Sequence, residues 1–174
     1  MRTDTPASMK RGRPNGRPPT RVFINYRTGD EPYGAVLIDT ALCARFGPEA
    51  VFRASRSIRP GEDFAETILG AVRESSVLLA VIGPRWLDAV DAHGRPRLHD
   101  PADWVRREIL QAFHSGVRVV PVLLNANLPQ EQQLPPAVAR LSGQQYLRLH
   151  HRYAPADLER LVDEVAELLR RPAR

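Results

Sequence analysis

The sequence is poor in cysteine and has no long apolar run, and each shortage excludes a class of protein. Cys43 is the only cysteine, so the chain forms no internal disulfide, and we interpret it as a small core residue in an apolar helical stretch. No window holds the roughly 18 continuous apolar residues that a membrane span needs. The N-terminus has no apolar run behind its basic residues, which disfavours a secretory signal. These absences favour a cytoplasmic protein.

Motifs that bind metals or nucleotides are also missing. The five histidines show no zinc spacing with cysteine or with a pair of carboxylates. Gly29 and Gly34 do not form a dinucleotide-binding or P-loop fingerprint. We therefore expect no metal and no bound cofactor. A phosphate-accepting receiver domain is disfavoured as well, because the acidic pair Asp30-Glu31 follows the turn after the first apolar run and not the run itself.

The positive charge of the chain is concentrated at its N-terminus. The formal net charge is +5, and residues 1–20 hold +4 of it through five basic residues and one acid. This segment has almost no apolar residues, so we predict a disordered basic leader. The remainder is close to neutral and gives no support to a basic nucleic-acid groove. Arg11-Gly12-Arg13-Pro14 resembles an AT-hook core, which inserts arginine into the minor groove, but this tetrapeptide is too short to predict a nucleic-acid partner.

Five short apolar runs alternate with helical patterns through residues 21–171, the predicted domain. The runs, each read as a buried strand, are residues 21–26, 50–52, 76–82, 117–124 and 146–149. Strands that alternate with helices predict a parallel sheet covered on both faces. At this size we predict a flavodoxin-like α/β fold with five strands in the order 2-1-3-4-5. Ligands of such sheets bind beyond the carboxyl ends of the strands where the winding reverses, here between strands one and three.

One predicted helix places an aromatic side chain and a carboxylate beside its apolar stripe. Asp103 is its natural N-cap. Trp104 and Glu108 are four residues apart, so they lie one above the other along the edge of the core face. The core face itself holds Val105, Ile109, Ala112 and Phe113. Because this helix begins near the expected ligand-binding edge, we predict that Trp104 and Glu108 form the wall of a pocket. The core face of the preceding helix is predicted to hold Phe64, Ile68 and Val72.

Six motifs, in this order, resemble those of TIR (Toll/interleukin receptor) domains. They are Phe23-Ile24-Asn25-Tyr26-Arg27, Val51-Phe52, Ile58-Arg59-Pro60-Gly61, Gly83-Pro84-x-Trp86-Leu87, Asp103-Trp104-Val105-x-x-Glu108-Ile109 and Val120-Pro121-Val122-Leu123. The resemblance covers about residues 21–170 and is greatest to bacterial TIR domains and to the animal TIR enzyme that cleaves NAD. It implies a flavodoxin-like fold, in agreement with the strand pattern.

The resemblance implies a TIR-family NAD+ nucleosidase that cleaves the nicotinamide–ribose bond, with NAD+ as substrate. The product, ADP-ribose or a cyclic isomer, stays open. By this resemblance Glu108 is the catalytic carboxylate of a Trp-x-x-x-Glu pattern. The predicted substrate-binding residues are Trp104, Arg27, Tyr26, Phe52, Trp86 and Asp30. Tyr26 and Phe52 fit core positions with one exposed edge better than the cleft, and Trp86 fits the core as well as it fits the cleft. One carboxylate suffices because nicotinamide leaves from a cationic precursor and needs no proton, unlike the leaving group of an ordinary glycosidase.

The resemblance also implies self-association. An assembly loop is predicted at Ser57, Ile58, Arg59, Pro60 and Gly61. We expect a homo-oligomer that is activated by assembly in bacterial defence signalling. The alternative is a non-enzymatic TIR–TIR interaction module in which Glu108 is a bystander. Two positions depart from the family pattern, since Arg53 stands where an acidic residue is usual and Thr28 where the animal enzyme has a second basic residue.

Overall fold

Five parallel strands form a single sheet in the order β2-β1-β3-β4-β5, so the predicted flavodoxin-like fold is confirmed. The computed structural model describes residues 21–170. The predicted basic leader with its AT-hook-like tetrapeptide, and Arg171 at the end of the predicted domain, lie outside these residues. The strands are β1 Val22–Asn25, β2 Val51–Phe52, β3 Val77–Ile82, β4 Arg118–Leu124 and β5 Leu147–Leu149.

The two central strands, β1 and β3, are buried on both faces. All four residues of β1 and all six of β3 are buried, which explains why their sequences are apolar runs without alternation. Their register aligns Val22 with Val77 and Asn25 with Ala80. Asn25 is the one polar residue within either strand, and it lies at the carboxyl end of β1, where a parallel sheet binds its ligands.

Helices cover both faces of the sheet. They are α1 Pro32–Phe46, α2 Ala54–Ser57, α3 Phe64–Glu74, α4 Trp104–His114 and α5 Ala154–Arg170. Short 3-10 helices lie at Pro48–Ala50, Arg97–His99, Glu131–Gln133, Pro136–Gly143 and His151–Tyr153. The apolar sides of α3 and α4 pack in one core cluster, and those of α1 and α5 pack in the other. Cys43 is only partly buried against the second cluster. Within residues 21–170, no helix has the length and apolar character to cross a membrane.

Two aspartates determine where α3 and α4 begin. The side chain of Asp63 accepts a hydrogen bond from the backbone N–H of Glu66, at 2.7 Å. Asp103 accepts one from the backbone N–H of Arg106, at 3.1 Å. Each carboxylate satisfies a backbone donor that has no partner inside its helix. The predicted N-cap of the Trp104 helix is therefore confirmed, and both helices start on the same side of the sheet.

Two local predictions differ from the structure. Helix α2 was not predicted, and the first residue of the predicted assembly loop, Ser57, is the last residue of this helix. Phe64 was predicted in the core but is 49% exposed, whereas Ile68 and Val72 of the same helix are buried. Phe64 is the first residue of α3, and its ring packs edge-to-face with that of Trp104, with ring centroids 5.0 Å apart.

Candidate active site

A cavity of about 240 Å³ lies at the carboxyl end of β1, between this strand and helices α3 and α4. It adjoins the point where the strand order reverses, which is the position predicted from the topology. The strand and its following turn contribute Tyr26, Arg27 and Thr28, α3 contributes Phe64 and Ile68, and α4 with its N-cap contributes Asp103, Trp104 and Glu108. The structure thus brings together four of the predicted site residues: Glu108, Trp104, Tyr26 and Arg27.

Glu108 is a buried carboxylate in the wall of this cavity. It is only 7% exposed, so it lies deeper than the predicted position on the edge of the core face. Its Oε2 accepts a hydrogen bond of 2.6 Å from Nδ2 of Asn25. Burial raises the pKa of Glu108 to about 8, against the lowering effect of the Asn25 hydrogen bond, while Asp103 raises it further and Arg107 lowers it. A carboxyl group with such a pKa in a cavity is typical of a functional site.

Aromatic side chains form the outer wall of the cavity. The guanidinium carbon of Arg107 lies 4.0 Å from the ring centroid of Trp104, and the indole and the ring of Phe64 pack edge-to-face. Tyr26 donates its hydroxyl hydrogen to Oγ of Ser55, at 3.0 Å, which ties it to α2. The cavity therefore offers an apolar surface above a buried carboxylate, an arrangement suited to a flat ring attached to a polar group.

The guanidinium of Arg27 forms a buried ion pair with Asp103. Its two terminal nitrogens bind the two oxygens of Asp103 at 2.8 and 3.0 Å, with side-chain exposures of 5% and 2%. Only Nε of Arg27 lacks a partner among the described residues. Arg97, whose side chain is 49% exposed, approaches the same carboxylate at 3.4 Å and also lines the cavity. Arg97, and not Arg27, is therefore the cation available to an anionic ligand.

Three other residues of the predicted site do not line this cavity. Phe52 stacks on a phenylalanine of β1, with ring centroids 5.1 Å apart. Trp86 has no solvent exposure and packs in the core between the sheet and helices α3 and α4. Asp30 accepts hydrogen bonds of 2.8 Å from the backbone N–H groups of Gly83 and Arg85, and so joins the turns that follow β1 and β3. The candidate site therefore does not include these three residues.

The two positions that depart from the family pattern lie in different surroundings. Thr28 lines the cavity. Arg53 points toward α1, where its Nε lies 3.0 Å from Oδ2 of Asp39. Arg56 binds the other oxygen of Asp39 at 2.9 Å. Asp39 is buried, so these ion pairs fasten α2, and with it the start of the predicted assembly loop, to α1.

Two residues of the site had no predicted role. Asn25 was part of a motif, but no function followed from it; its signal was a polar residue at the end of an otherwise apolar strand. Arg97 lies in the polar segment before α4, where the sequence has no periodicity that could place a side chain. Both are near Glu108 or Asp103 only because the fold brings β1, this segment and α4 together.

The other surface depression and the rest of the described residues lack the features expected of an active site. A depression of about 570 Å³ along α5 is lined almost entirely by exposed charged side chains of that helix. It has neither an aromatic wall nor a buried carboxylate. Among residues 21–170, no group of three or more His, Cys, Asp and Glu side chains could hold a metal ion. The cavity beside Glu108 is therefore the candidate active site.

Comparison with known proteins identifies relatives by sequence. A family model for the TIR domain matches residues 22–162. The chain is 28% identical over 139 residues to a Brachypodium distachyon protein named probable 2' cyclic ADP-D-ribose synthase BdTIR, and the match covers 80% of this chain and 51% of that relative. The chain thus spans about half the length of this curated relative.

Solved structures of other proteins share the fold. The TIR domains of the activated Roq1 resistosome, which directly recognises the pathogen effector XopQ, match with a TM-score of 0.62 at 12% identity, covering 85% of this chain and 98% of that chain. A metazoan TIR-STING receptor from C. gigas, in complex with 2',3'-cGAMP, matches with a TM-score of 0.57 at 22% identity, covering 87% of this chain and 39% of that chain. At these identities the likeness shows the fold alone.

Proposed function

Because the chain belongs to the TIR domain family, we propose that it is an NAD+ nucleosidase in which Glu108 is the catalytic carboxylate. One observation carries the proposal: a buried carboxylate lies in a cavity walled by Trp104 and Tyr26. The relative named a probable 2' cyclic ADP-D-ribose synthase supports this class of reaction. The products are nicotinamide and either ADP-ribose or a cyclic isomer of it.

The chemistry needs one carboxylate and little else. When the nicotinamide–ribose bond breaks, the ring takes the bonding electrons and leaves neutral, so it requires no proton. The ribose becomes an oxocarbenium-like cation, which a carboxylate in a water-poor cavity stabilises strongly. Attack by water then gives ADP-ribose and releases a proton, whereas attack from within the molecule gives a cyclic product. The cationic ring of the substrate also favours the ionised form of Glu108 and so opposes the effect of burial on its pKa.

The size of the cavity suits one end of the substrate. At about 240 Å³ it is smaller than the pockets of about 300–1,000 Å³ that enclose drug-sized ligands. We therefore assign it to the nicotinamide and its ribose, with the ring against Trp104. The phosphates then lie outside, where the half-exposed guanidinium of Arg97 can meet them.

Self-association is the second part of the proposal. We infer that residues 57–61 mediate contacts between copies of the chain and that assembly activates the enzyme in cytoplasmic bacterial defence signalling. Arg59, Pro60 and Gly61 are exposed. Ala54, three residues before this loop, lines the cavity, so a contact made by the loop acts close to the site. TIR domains of the same fold occur in an activated resistosome.

Nicotinamide release from NAD+ tests the catalytic role of Glu108. We expect the wild-type protein to release nicotinamide and Glu108→Gln to lower the rate by about 100-fold or more, the usual effect of removing a group that stabilises transition-state charge. Glu164→Gln is the matched control, because it removes an exposed carboxylate of α5, a helix of the other core cluster. Full activity in a folded Glu108→Gln protein would sink the assignment. If assembled wild-type protein released no nicotinamide, the alternative function, a non-enzymatic TIR–TIR interaction module, would be favoured.

A further inference from the structure

A fully buried asparagine lies against the Glu108 carboxylate. Asn25, the last residue of β1, has no solvent exposure. Its Nδ2 donates to Oε2 of Glu108 at 2.6 Å and to the carbonyl oxygen of Val105 at 3.2 Å. One amide group thus joins the end of a central strand to both the backbone and the carboxylate of α4.

The Val105 carbonyl determines which end of the Asn25 amide faces the helix. A carbonyl oxygen only accepts hydrogen bonds, so the amide must direct its nitrogen toward Val105. Rotating the amide by half a turn would place oxygen against oxygen at this contact. Since the nitrogen carries two hydrogens, the second is available to Glu108. The contact is therefore built for an acceptor, which an ionised carboxylate provides with either oxygen.

Only one of the two Glu108 oxygens is held in this way. Among residues 21–170, no donor forms a hydrogen bond with Oε1. Oε1 is also not among the fully buried polar atoms without a partner, so it is not closed off from the cavity. Glu108 lines the cavity. Oε1 is thus the oxygen that remains accessible to a ligand, while the Asn25 amide holds Oε2.

The asparagine also has a structural disadvantage. Its Oδ1 is buried and has no hydrogen-bond partner among the described residues. A buried acceptor without a partner is costly, and an apolar residue like those in the rest of β1 would avoid that cost. Burial alone therefore gives no reason for an asparagine at this position, whereas its contact with Glu108 does.

We propose that Asn25 is a positioning residue that holds Glu108 with one oxygen directed at the ribose of the substrate. This role rests on the proposed function, because it is defined relative to that reaction. Asn25 itself does not line the cavity and acts through Glu108. It has two effects, since the amide fixes the direction of the carboxylate and its N–H favours the ionised form.

A purely structural role for Asn25 makes different predictions. In that case the amide only fastens β1 to α4 through Val105, and its loss lowers stability without altering the ionisation of Glu108. The other groups near Glu108 stay the same when Asn25 is replaced: α3 faces it with apolar side chains, and the charged neighbours are Asp103, Arg107, Arg27 and Arg97. A change in the pH profile of the reaction is therefore attributable to the lost amide.

Two substitutions at Asn25 separate these roles. Asn25→Leu keeps roughly the volume of the side chain but has neither a donor nor a charge, and Asn25→Ala removes the whole group. We expect both to lower kcat near neutral pH by about 10- to 100-fold, the worth of a hydrogen bond to a charged group, with KM little changed. Both should move the acid limb of the kcat profile to higher pH. Asn125→Asp, at an exposed asparagine after β4, should change neither quantity. A lower melting temperature with an unmoved acid limb would overturn the proposal.

A measurement on the unaltered chain requires neither substitution at Asn25 nor activity. In the ¹⁵N NMR spectrum, the side-chain amide of Asn25 should shift with pH in a step that is absent from Glu108→Gln, because the step reports ionisation of the carboxylate it contacts. No such step would overturn the proposal. Nicotinamide release that both Asn25 variants leave intact would overturn it while the proposed function stands. A clear step in a wild-type protein that cleaves no NAD+ would instead refute the proposed function, and with it the positioning role.

Discussion

At the scale of single residues, the site is centred on a largely buried carboxyl group in the wall of the cavity. Burial raises the pKa of Glu108 to about 8 and outweighs the opposing effect of the Asn25 hydrogen bond. The free protein therefore holds Glu108 mainly protonated at neutral pH. A substrate that carries a positive charge to this position draws the carboxyl group toward its ionised form, so substrate binding and ionisation are coupled.

We predict that Glu108→Gln stabilises the fold, and that it does so more at high pH than at low pH. An unfolded glutamate ionises near pH 4.5 and the folded Glu108 near pH 8, so the wild-type free energy of unfolding falls as the pH rises between these values. Thermodynamic linkage predicts that the free energy of unfolding of Glu108→Gln exceeds the wild-type value by about 3 kcal/mol at neutral pH. Thermal denaturation at about pH 5 and about pH 9 measures it. Equal effects of the substitution at both pH values would contradict the account.

A second prediction concerns the reaction rate. The pH dependence of kcat/KM reports ionisations of the free enzyme. We therefore expect kcat/KM for nicotinamide release to rise with pH and to level off above about pH 8, where Glu108 ionises in the free protein. Steady-state assays across this interval provide the check. A profile that is flat between about pH 5 and about pH 9 would show that ionisation of this residue does not govern the reaction.

The sequence allowed part of the site to be predicted at this scale. Spacing on one helix paired Trp104 with Glu108, and the structure places both at the cavity. Trp86 and Phe52 occur in equally recognisable motifs, but they are buried in the core. A motif identifies a position in the fold without showing which way its side chain points. The contact between Asn25 and Glu108 joins residues 83 positions apart. Local sequence patterns therefore cannot predict it.

At the scale of elements, the junction between β1 and α4 organises the site. Asp103 caps α4 through the backbone N–H of Arg106 and pairs with Arg27, which follows β1. The same carboxylate thus determines both where α4 begins and where it lies against the sheet. Because Trp104 and Glu108 belong to the first two turns of this helix, their positions depend on this junction.

We predict that Arg27→Met is strongly destabilising. The substitution leaves the buried Asp103 carboxylate with its capping hydrogen bond from the backbone N–H of Arg106 and with the half-exposed Arg97 at 3.4 Å as its remaining cationic partner among the described residues. Removing one partner of a buried ion pair costs about 3–5 kcal/mol. Urea denaturation provides the measurement. Arg170→Met is the control, since it breaks an exposed pair with Glu167 and should cost less than about 1 kcal/mol. If both variants lost the same small amount of stability, the junction would not have the importance assigned to it.

The elements themselves differed in how far they could be predicted. The apolar run of β3 and the capping residue Asp103 are local signals, and both gave the correct element. Helix α2 has only four residues and no periodicity. It is held by Arg53 and Arg56, which bind Asp39 on α1. Such a helix depends on contacts between distant parts of the chain, so a local reading of the sequence finds only a loop.

At the scale of the whole molecule, the sheet separates two surfaces. Helices α3 and α4 share the core cluster beside the cavity, while α1 and α5 pack in the other cluster. The predicted assembly loop, residues 57–61, begins at the last residue of α2, and the first residue of this helix lines the cavity. A contact between copies of the chain at this loop can therefore alter the cavity wall through α2, because the effect does not have to cross the sheet.

We predict that activity depends on self-association. The rate of nicotinamide release should rise more steeply than in proportion to protein concentration. Arg59→Glu reverses a charge in the exposed assembly loop and should shift this rise to higher concentration. Arg152→Glu, a charge reversal at an exposed residue outside the loop, should not. Light scattering on the same samples follows assembly. Strict proportionality between rate and concentration would count against activation by assembly.

The most direct test compares binding with turnover in Glu108→Gln. Calorimetry measures NAD+ affinity, and chromatography of the same folded samples measures nicotinamide release. If Glu108 acts on the bond that breaks, the variant should still bind NAD+, more weakly because it lacks the carboxylate that attracts the cationic ring, and release almost no nicotinamide. A folded Glu108→Gln protein that binds NAD+ and releases nicotinamide at the wild-type rate would contradict the catalytic role of Glu108.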